Sequence, residues 1–285
     1  MSRARSRKSL LLGAFLQEHE VRQLLTQRGV HTPQEVEERI EKWRVARGQL
    51  EGAPSWADTE GVDVLVPPPE LQARVEQLSQ SEQLRTTVEN IPYRVAVVSL
   101  GQLVAFQFTV DKPYSATFHV PASATILELA DVTLPVAPPK FPLRVAGDGA
   151  GVTLSAPGPN LRIAAMGVQA SDGGPLRFTV DLTFGSPFVQ VAEFEGRMLL
   201  RNGYHRAVGL LAQGVSHAPV ILLQCSDYTQ TGAAGPGFFG RHVVMGDKPP
   251  LLKHYLSPFA IEFNAADLHK TIRLRPDEFV VPIPE

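Results

Sequence analysis

Cysteine is nearly absent from this sequence, since Cys225 is the only one among 285 residues. A single thiol excludes an internal disulfide framework and a metal site made of several thiolates, and it is typical of proteins from a reducing compartment. We therefore predict a cytoplasmic location. No apolar stretch approaches the roughly 18 residues that a membrane-spanning helix needs, so we expect no membrane interaction.

The sequence also lacks an excess of charge of either sign. Its 27 basic and 29 acidic residues give a formal net charge of −2, which excludes a general attraction to nucleic acid. Residues 1–8 form a local basic cluster, followed by a short apolar run and then by Glu18 and Glu20. Because no small-residue cleavage site follows, we expect no secretion signal. Residues 1–8 are interpreted either as a solvated terminus or as a contact to nucleic acid or a protein partner.

Several catalytic motifs are missing as well. The sequence has no His-Glu-x-x-His, no Gly-x-Ser-x-Gly and no aspartate-rich calcium loop. Its glycine-rich residues 232–241 lack the Gly-Lys-Ser/Thr ending of a P-loop, so we interpret them as a loop, with a lid over a site as the alternative. Glu193 and Glu195 are interpreted as hairpin charges, and no metal site is predicted.

What is present supports a folded core, because 44% of the residues are hydrophobic and 20% are charged. Residues 1–90 show helical spacing of apolar residues, and Thr32 and Glu35 form a capping box that starts a helix. The two helices on either side of Gly29 predict a helical hairpin, with a DNA-binding helix-turn-helix as the alternative.

The rest of the chain predicts strands and one further helix. Residues 91–185 contain short runs typical of antiparallel strands, at 94–100, 103–110, 116–120 and 176–184. Residues 186–285 begin with a predicted hairpin, then a helix over 207–212 and an apolar strand over 220–223. The predicted class is therefore α+β, with N-terminal helices (1–90), a β-rich antiparallel middle (91–185) and a C-terminal hairpin–helix–strand unit (186–285).

The segment with the clearest chemistry is Gly203-Tyr204-His205-Arg206, between a predicted strand and a predicted helix. Backbone amides at a helix start point outward without intrahelical partners, and the helix dipole favours an anion there. Glycine allows the tight turn, and histidine and arginine add donors suited to phosphate. Arg201 adds positive charge nearby, and Arg241 is available from the glycine-rich loop. We predict that these six residues bind a phosphate group.

This order of strand, Gly-x-x-Arg, helix, Gly214 and Pro219-Val-Ile resembles the ParB/sulfiredoxin-like superfamily over residues 186–223. The resemblance implies a nucleoside triphosphate, with Mg²⁺, as the ligand. His205 and Arg206 match the phosphate-contacting pair of sulfiredoxins. Tyr204 stands where sulfiredoxins have their reacting cysteine and where ParB proteins have glutamate, so thiol chemistry and hydrolysis in the ParB manner are not expected.

The leading hypothesis is thus binding of a nucleotide or another phosphate-bearing ligand at residues 203–206. Phosphoryl or phosphodiester chemistry is left open there, without an identified general base. One alternative is a non-enzymatic assembly or adaptor protein that binds a protein partner or itself, in which this turn is structural. Another is a nucleic-acid-binding protein that uses residues 1–8 and the helical hairpin.

Overall fold

The structure is a computed structural model, and it describes residues 6–56, 61–136, 143–147, 151–157, 161–169, 174, 177–183, 185–235, 237–267 and 269–275. The chain forms two compact units. The first comprises Met1–Pro138 and Ser186–Ala266, and the second comprises Pro139–Gly185 and Asp267–Glu285. The start of the predicted third segment, Ser186, coincides with a unit boundary, whereas residue 91 lies inside the first unit.

Strands and helices alternate irregularly along the described chain. The strands are β1 (Ser6–Leu11), β2 (Val64–Leu65), β3 (Tyr93–Ser99), β4 (Thr109–Asp111), β5 (Arg144–Gly147), β6 (Val152–Pro157), β7 (Arg162–Gln169), β8 (Arg177–Thr183), β9 (Gln190–Phe194), β10 (Arg197–Asn202), β11 (His217–Gln224), β12 (Ile261–Ala266) and β13 (His269–Leu274). The α-helices are α1 (Glu18–Gln27), α2 (Pro33–Gly52), α3 (Gln72–Ser79), α4 (Glu82–Val88), α5 (Lys112–Ala116), α6 (Ile126–Thr133), α7 (Tyr204–Ala212) and α8 (Arg241–Val244). Short 3-10 helices occur at Gly13–Phe15, Pro69–Leu71, Tyr228–Thr231 and Leu252–Leu256.

The first unit is built around a five-stranded sheet of order β10-β9-β11-β3-β2. The β9–β10 pair is an antiparallel hairpin, whose two-residue turn has positive φ at both Glu195 and Gly196, as hairpin turns prefer. From β10 the chain enters α7 and returns as β11, which pairs parallel to β9 and antiparallel to β3. The predicted hairpin–helix–strand order is therefore present.

Both faces of this sheet are covered, because alternate residues of β11 join different apolar clusters. Val220 and Leu222 belong to the main core together with residues of α7, α1 and α2. Ile221 and Leu223 belong to a second cluster with residues of α3 and α4. A strand buried on both faces needs apolar residues at every position, which explains the continuous apolar run in this part of the sequence.

A three-stranded antiparallel sheet of order β12-β1-β4 completes the first unit. Strand β1 is a correction to the predicted all-helical segment 1–90. Its burial alternates along the strand, and Arg7 and Lys8 form ion pairs with Asp111 at 2.7 Å and with Glu262 at 3.0 Å. Residues 6–8 are thus part of a sheet and not a solvated terminus, while residues 1–5 lie outside the described residues.

The β-rich prediction for residues 91–185 is wrong in part. Residues 103–106 are all buried and lie outside the named strands, and their backbone hydrogen bonds go to separate partners such as Met198 and Pro250. Residues 112–116 and 126–133 are the helices α5 and α6. The strand predicted at 116–120 is wrong, because Ala116 ends α5 and residues 117–120 lie outside the named strands. Capping by Asp111 and by Thr125, each ahead of good helix-start residues, outweighs the strand-like composition.

In the second unit, β5, β6 and β13 form a three-stranded antiparallel sheet of order β13-β6-β5, and β7 pairs with β8. The strand predicted at 176–184 is confirmed as β8. The chain is an α+β protein, as predicted. Within the described part of the chain, every helix is too short or too polar to cross a bilayer.

Candidate functional site

The turn from β10 into α7 is centred on Gly203, which adopts φ +92° and ψ +21°. A Cβ atom at this position would lie 2.8 Å from Cγ2 and 3.0 Å from Cα of Val189. Asn202 stabilises the approach, because its side-chain amide donates to the carbonyls of Ser186 and Phe188 at 2.9 and 3.1 Å. Backbone conformation and close packing both require glycine here.

No side chain caps the N-terminus of α7. The first backbone amide that bonds to a neighbouring carbonyl is that of Ala207, which donates to Gly203 at 2.9 Å. Among the residues described, the amides of Tyr204, His205 and Arg206 have no recorded acceptor. Gly203 and Tyr204 are buried, so this end of the helix presents positive partial charge in a setting with little water.

Tyr204 directs its side chain into the core. Its phenol oxygen accepts hydrogen bonds from the backbone N–H groups of Phe106 at 2.8 Å and Gln107 at 3.3 Å. Burial raises the pKa of this phenol well above its ordinary value. The contribution of Tyr204 to a ligand site is therefore its backbone amide.

His205 lies against α5 and β4. Its Nε2 atom accepts a hydrogen bond from the backbone N–H of Asp111 at 3.1 Å, and its ring packs edge-on against Tyr114 at 5.0 Å between centroids. Burial lowers the pKa of this imidazole to about 4. Because Nε2 accepts, the neutral ring carries its proton on Nδ1, which has no hydrogen-bond acceptor within the described chain.

Arg206 places its guanidinium carbon 5.1 Å from the centre of the Phe118 ring. Burial lowers the pKa of this guanidinium, although the group stays charged at neutral pH. The ion pairs found in the described residues do not include Arg206. Among the described residues, its positive charge therefore has no counter-ion beside the start of α7.

Sequence reasoning missed the neighbours that hold these side chains. Asp111, Tyr114 and Phe118 lie about ninety positions earlier in the chain, in a segment predicted as strands, although His205 and Asp111 are hydrogen-bonded. The available signal was Asp111-Lys-Pro113, which combines a capping residue with proline in the first helical turn. It predicts α5 but not its contact with α7.

No protein-family model matches this chain, and comparisons with curated proteins and with solved structures found no match. The resemblance of residues 186–223 to the ParB/sulfiredoxin-like superfamily therefore stays a prediction.

The structure places the other two predicted site residues beside the Tyr228–Thr231 helix. Arg241 pairs with Glu195 at 2.9 Å and stacks over the rings of Phe194 and Tyr228. Arg201 packs its side chain against Gly232. Neither has a recorded contact with residues 203–206, so the six predicted residues separate into two groups.

The glycine-rich segment that contains Arg241 is attached to the core at several points. The N–H of Phe239 donates to the carbonyl of Phe106 at 2.8 Å, and the Phe238 ring packs against the Phe106 ring at 5.0 Å. In the described residues, no group of three or more His, Cys, Asp or Glu side chains is placed to hold a metal ion.

Proposed function

We propose that this chain binds a nucleotide or another phosphate-bearing ligand at the N-terminus of α7. The observation that carries the proposal is the uncapped, largely buried start of this helix, with the Tyr204, His205 and Arg206 amides lacking acceptors among the described residues. A buried helix end without capping partners is rare, because each unpaired amide costs free energy that an anionic ligand recovers.

Two side chains support the same ligand class. The Arg206 guanidinium is held over Phe118 with no counter-ion in the part of the chain that the structure describes, and guanidinium groups pair well with phosphate oxygens. The Nδ1–H of His205 is a second donor on the first turn of the helix. A neutral imidazole donor favours phosphate without adding charge. A nucleoside triphosphate with Mg²⁺ remains the ligand that the family resemblance implies, and the single cysteine keeps the cytoplasm as the proposed location.

The deciding experiment titrates ATP, CTP and GTP with Mg²⁺ against the full chain by calorimetry. The test variant is Arg206→Met, which keeps an apolar stem against Phe118 and removes the charge. We expect saturable binding of at least one nucleotide, weakened about tenfold or more in the variant, as expected for loss of one charge-assisted contact.

The matched control is Arg85→Met, which removes an exposed arginine from α4 and should leave binding unchanged. Both variants are first checked by circular dichroism for an unaltered fold. Absence of saturable binding by the unmodified chain, or equal binding by Arg206→Met, would overturn the proposal.

The second candidate is an assembly or adaptor protein in which this turn is structural. It is favoured by the packing of Tyr204, whose hydroxyl group bonds only to backbone N–H groups of the core in the described structure. This candidate requires a stable complex, with itself or a partner, that persists in Arg206→Met. Sedimentation of both proteins with and without nucleotide separates the two candidates.

The nucleic-acid alternative uses residues 1–8 and the helical hairpin of α1 and α2. Arg7 and Lys8 already form ion pairs with Asp111 and Glu262, which reduces the charge they offer to a phosphate backbone. Binding through this segment requires a steep decrease of DNA affinity with salt, and replacing Arg3 and Arg5 with alanine should reduce that slope. If the salt dependence of DNA affinity is the same in the unmodified chain and in the variant, this alternative is excluded.

A further inference from the structure

A polar cavity lies on the first unit, at a place separate from the start of α7. It has a volume of about 440 Å³ and is lined by Glu89, Asn90, Ile91, Arg201, Thr229 and Gln230. These residues come from the turn after α4, from the edge strand β10 and from the Tyr228–Thr231 helix. Its size is within the range of sites that hold small metabolites.

Arg201 is the only lining residue with a positive charge. Its Nη1 atom is buried and has no hydrogen-bond partner among the described residues, and no ion pair to Arg201 is found there. Burying a charge without a partner is unfavourable. Although Nη1 itself has no surface open to the cavity, a negative charge bound beside Arg201 stabilises the guanidinium electrostatically.

The side chain of Arg201 is held in place by its surroundings. Gly232 has φ +76°, and a Cβ atom there would lie 3.1 Å from Cγ of Arg201. The aliphatic part of Arg201 therefore packs directly against the backbone of this glycine. Such confinement lowers the entropy that the guanidinium loses when it binds a ligand.

Gln230 supplies a second donor. Its Oε1 atom accepts hydrogen bonds from the N–H groups of Ser226 and Asp227 at 2.9 and 3.3 Å. The Nε2 group of Gln230 is therefore directed away from this turn, and it has no acceptor within the described chain. The side chain of Asn90 adds further hydrogen-bonding capacity to the lining.

Glu89 gives the cavity two further properties. Its backbone has φ +54° and ψ −124°, a conformation that costs energy for a residue with a side chain and that is common at ligand sites. Its carboxylate is exposed beside the cavity and repels additional negative charge. A ligand with one anionic group is thereby favoured over a polyanion.

We propose that this cavity binds a small organic molecule through one oxyanion, a carboxylate or a phosphate group. Arg201 pairs with the anionic oxygens in the two-pronged geometry of guanidinium groups, and Gln230 and Asn90 donate to the remaining oxygens. The cavity and the α7 site are independent because they share no residue. The cavity is lined by the turn after α4, Arg201 and residues 229–230, whereas the side chains of the α7 site lie against α5 and its flanking residues.

Solution NMR of the full ¹⁵N-labelled chain tests the proposal, with sodium acetate, inorganic phosphate and ATP as separate probes. We expect saturable shifts of the side-chain amide signals of Gln230 and Asn90 with acetate or phosphate. The anion that binds with the higher affinity identifies the preferred oxyanion. ATP should shift these two signals less. Arg201→Met should weaken the binding about tenfold or more, whereas Arg206→Met should leave it unchanged.

Thermal unfolding without any probe provides the second measurement. Because Arg201→Met removes a partly buried charge that has no ion-pair partner among the described residues, its midpoint should equal or exceed that of the unmodified chain. If Arg201→Met fails to fold, Arg201→Lys replaces it, because lysine keeps the charge and loses the two-pronged geometry. Arg201→Lys must then bind the preferred anion more weakly than the unmodified chain does. Non-saturable shifts with both small anions, or identical binding by the Arg201 variant that folds, would overturn the proposal.

Discussion

The Nε2 atom of His205 accepts a hydrogen bond from the backbone N–H of Asp111 at 3.1 Å, although the two residues are 94 positions apart. The bond requires an imidazole that is unprotonated at Nε2. Burial is the largest cause of the lowered pKa of His205, the Asp111 carboxylate opposes it, and Arg7 and Arg206 add to it. The contact between α5 and α7 therefore depends on a neutral histidine.

We predict that the chain loses stability as the pH falls from neutral to 5. The unfolded chain takes up a proton on His205 near pH 6.5, whereas the folded chain does so only near pH 4. Between these values the unfolded state binds more protons, so this histidine stabilises the fold fully above pH 6.5 and by about 2 kcal/mol less at pH 5. Urea unfolding at the two pH values measures the loss.

The control for this effect is His205→Gln, which keeps an acceptor and cannot titrate. His31 and His254 also have lowered pKa values because of burial, and they contribute equally to both proteins. The loss between pH 7 and 5 should therefore be smaller in the variant by about 2 kcal/mol. Equal losses would show that His205 is readily protonated in the folded state.

Gly203→Ala should destabilise the chain more than Gly214→Ala. Both glycines have positive φ, of +92° and +84°, so alanine at either position costs about 1–2 kcal/mol in backbone strain. Only Gly203 faces Val189 at 2.8 Å, which adds a steric penalty of about 1–3 kcal/mol. Thermal midpoints that fall by the same amount in both variants would contradict the packing role of Gly203.

Alanine substitutions at two helical glycines should have opposite effects. In α7, a Cβ at Gly209 would lie 2.2 Å from the carbonyl oxygen of Ser115, so Gly209→Ala pushes α5 away and lowers the unfolding midpoint. In α2, Gly48 has open space around it, and Gly48→Ala should stabilise by about 0.5–1 kcal/mol through helix propensity. A Gly209→Ala protein as stable as the unmodified chain would show that α5 does not pack tightly on α7.

Tyr204→Phe should lower stability by about 1–3 kcal/mol, because it leaves the buried N–H groups of Phe106 and Gln107 without their acceptor. The control is Tyr93→Phe, which alters a partly exposed residue of β3 and should cost little. Chemical denaturation of both variants measures the difference. If Tyr204→Phe matches the unmodified chain in stability, the hydroxyl group is free for another role.

Local signals in the sequence were sufficient for elements that depend on neighbouring residues. The capping box of Thr32 and Glu35 predicts the start of α2, and both of its hydrogen bonds are present. The order of hairpin, Gly203, α7 and β11 was also predictable, because turn glycines and apolar runs punctuate it. Each of these signals acts over fewer than about ten residues.

Long-range pairing accounts for what was missed. Strand β1 takes its conformation from β4 and β12, and no nearby residue indicates this. Likewise, the roles of Tyr204 and His205 depend on Phe106, Gln107 and Asp111, which lie within or directly after the segment 103–110 that the alternating pattern predicted as a strand. The sequence identified the residues at the start of α7, whereas their partners are set by tertiary packing.

The central position of β1 in its sheet has a consequence for biosynthesis. Residues 6–11 leave the ribosome long before one of their two partner strands, β12, which ends at Ala266. Until that segment has been translated, β1 has one unpaired edge that is open to other strands. Closing a loop of this length also slows folding. The nascent chain is therefore expected to complete its first unit only after Ala266 has been translated and to benefit from a chaperone until then.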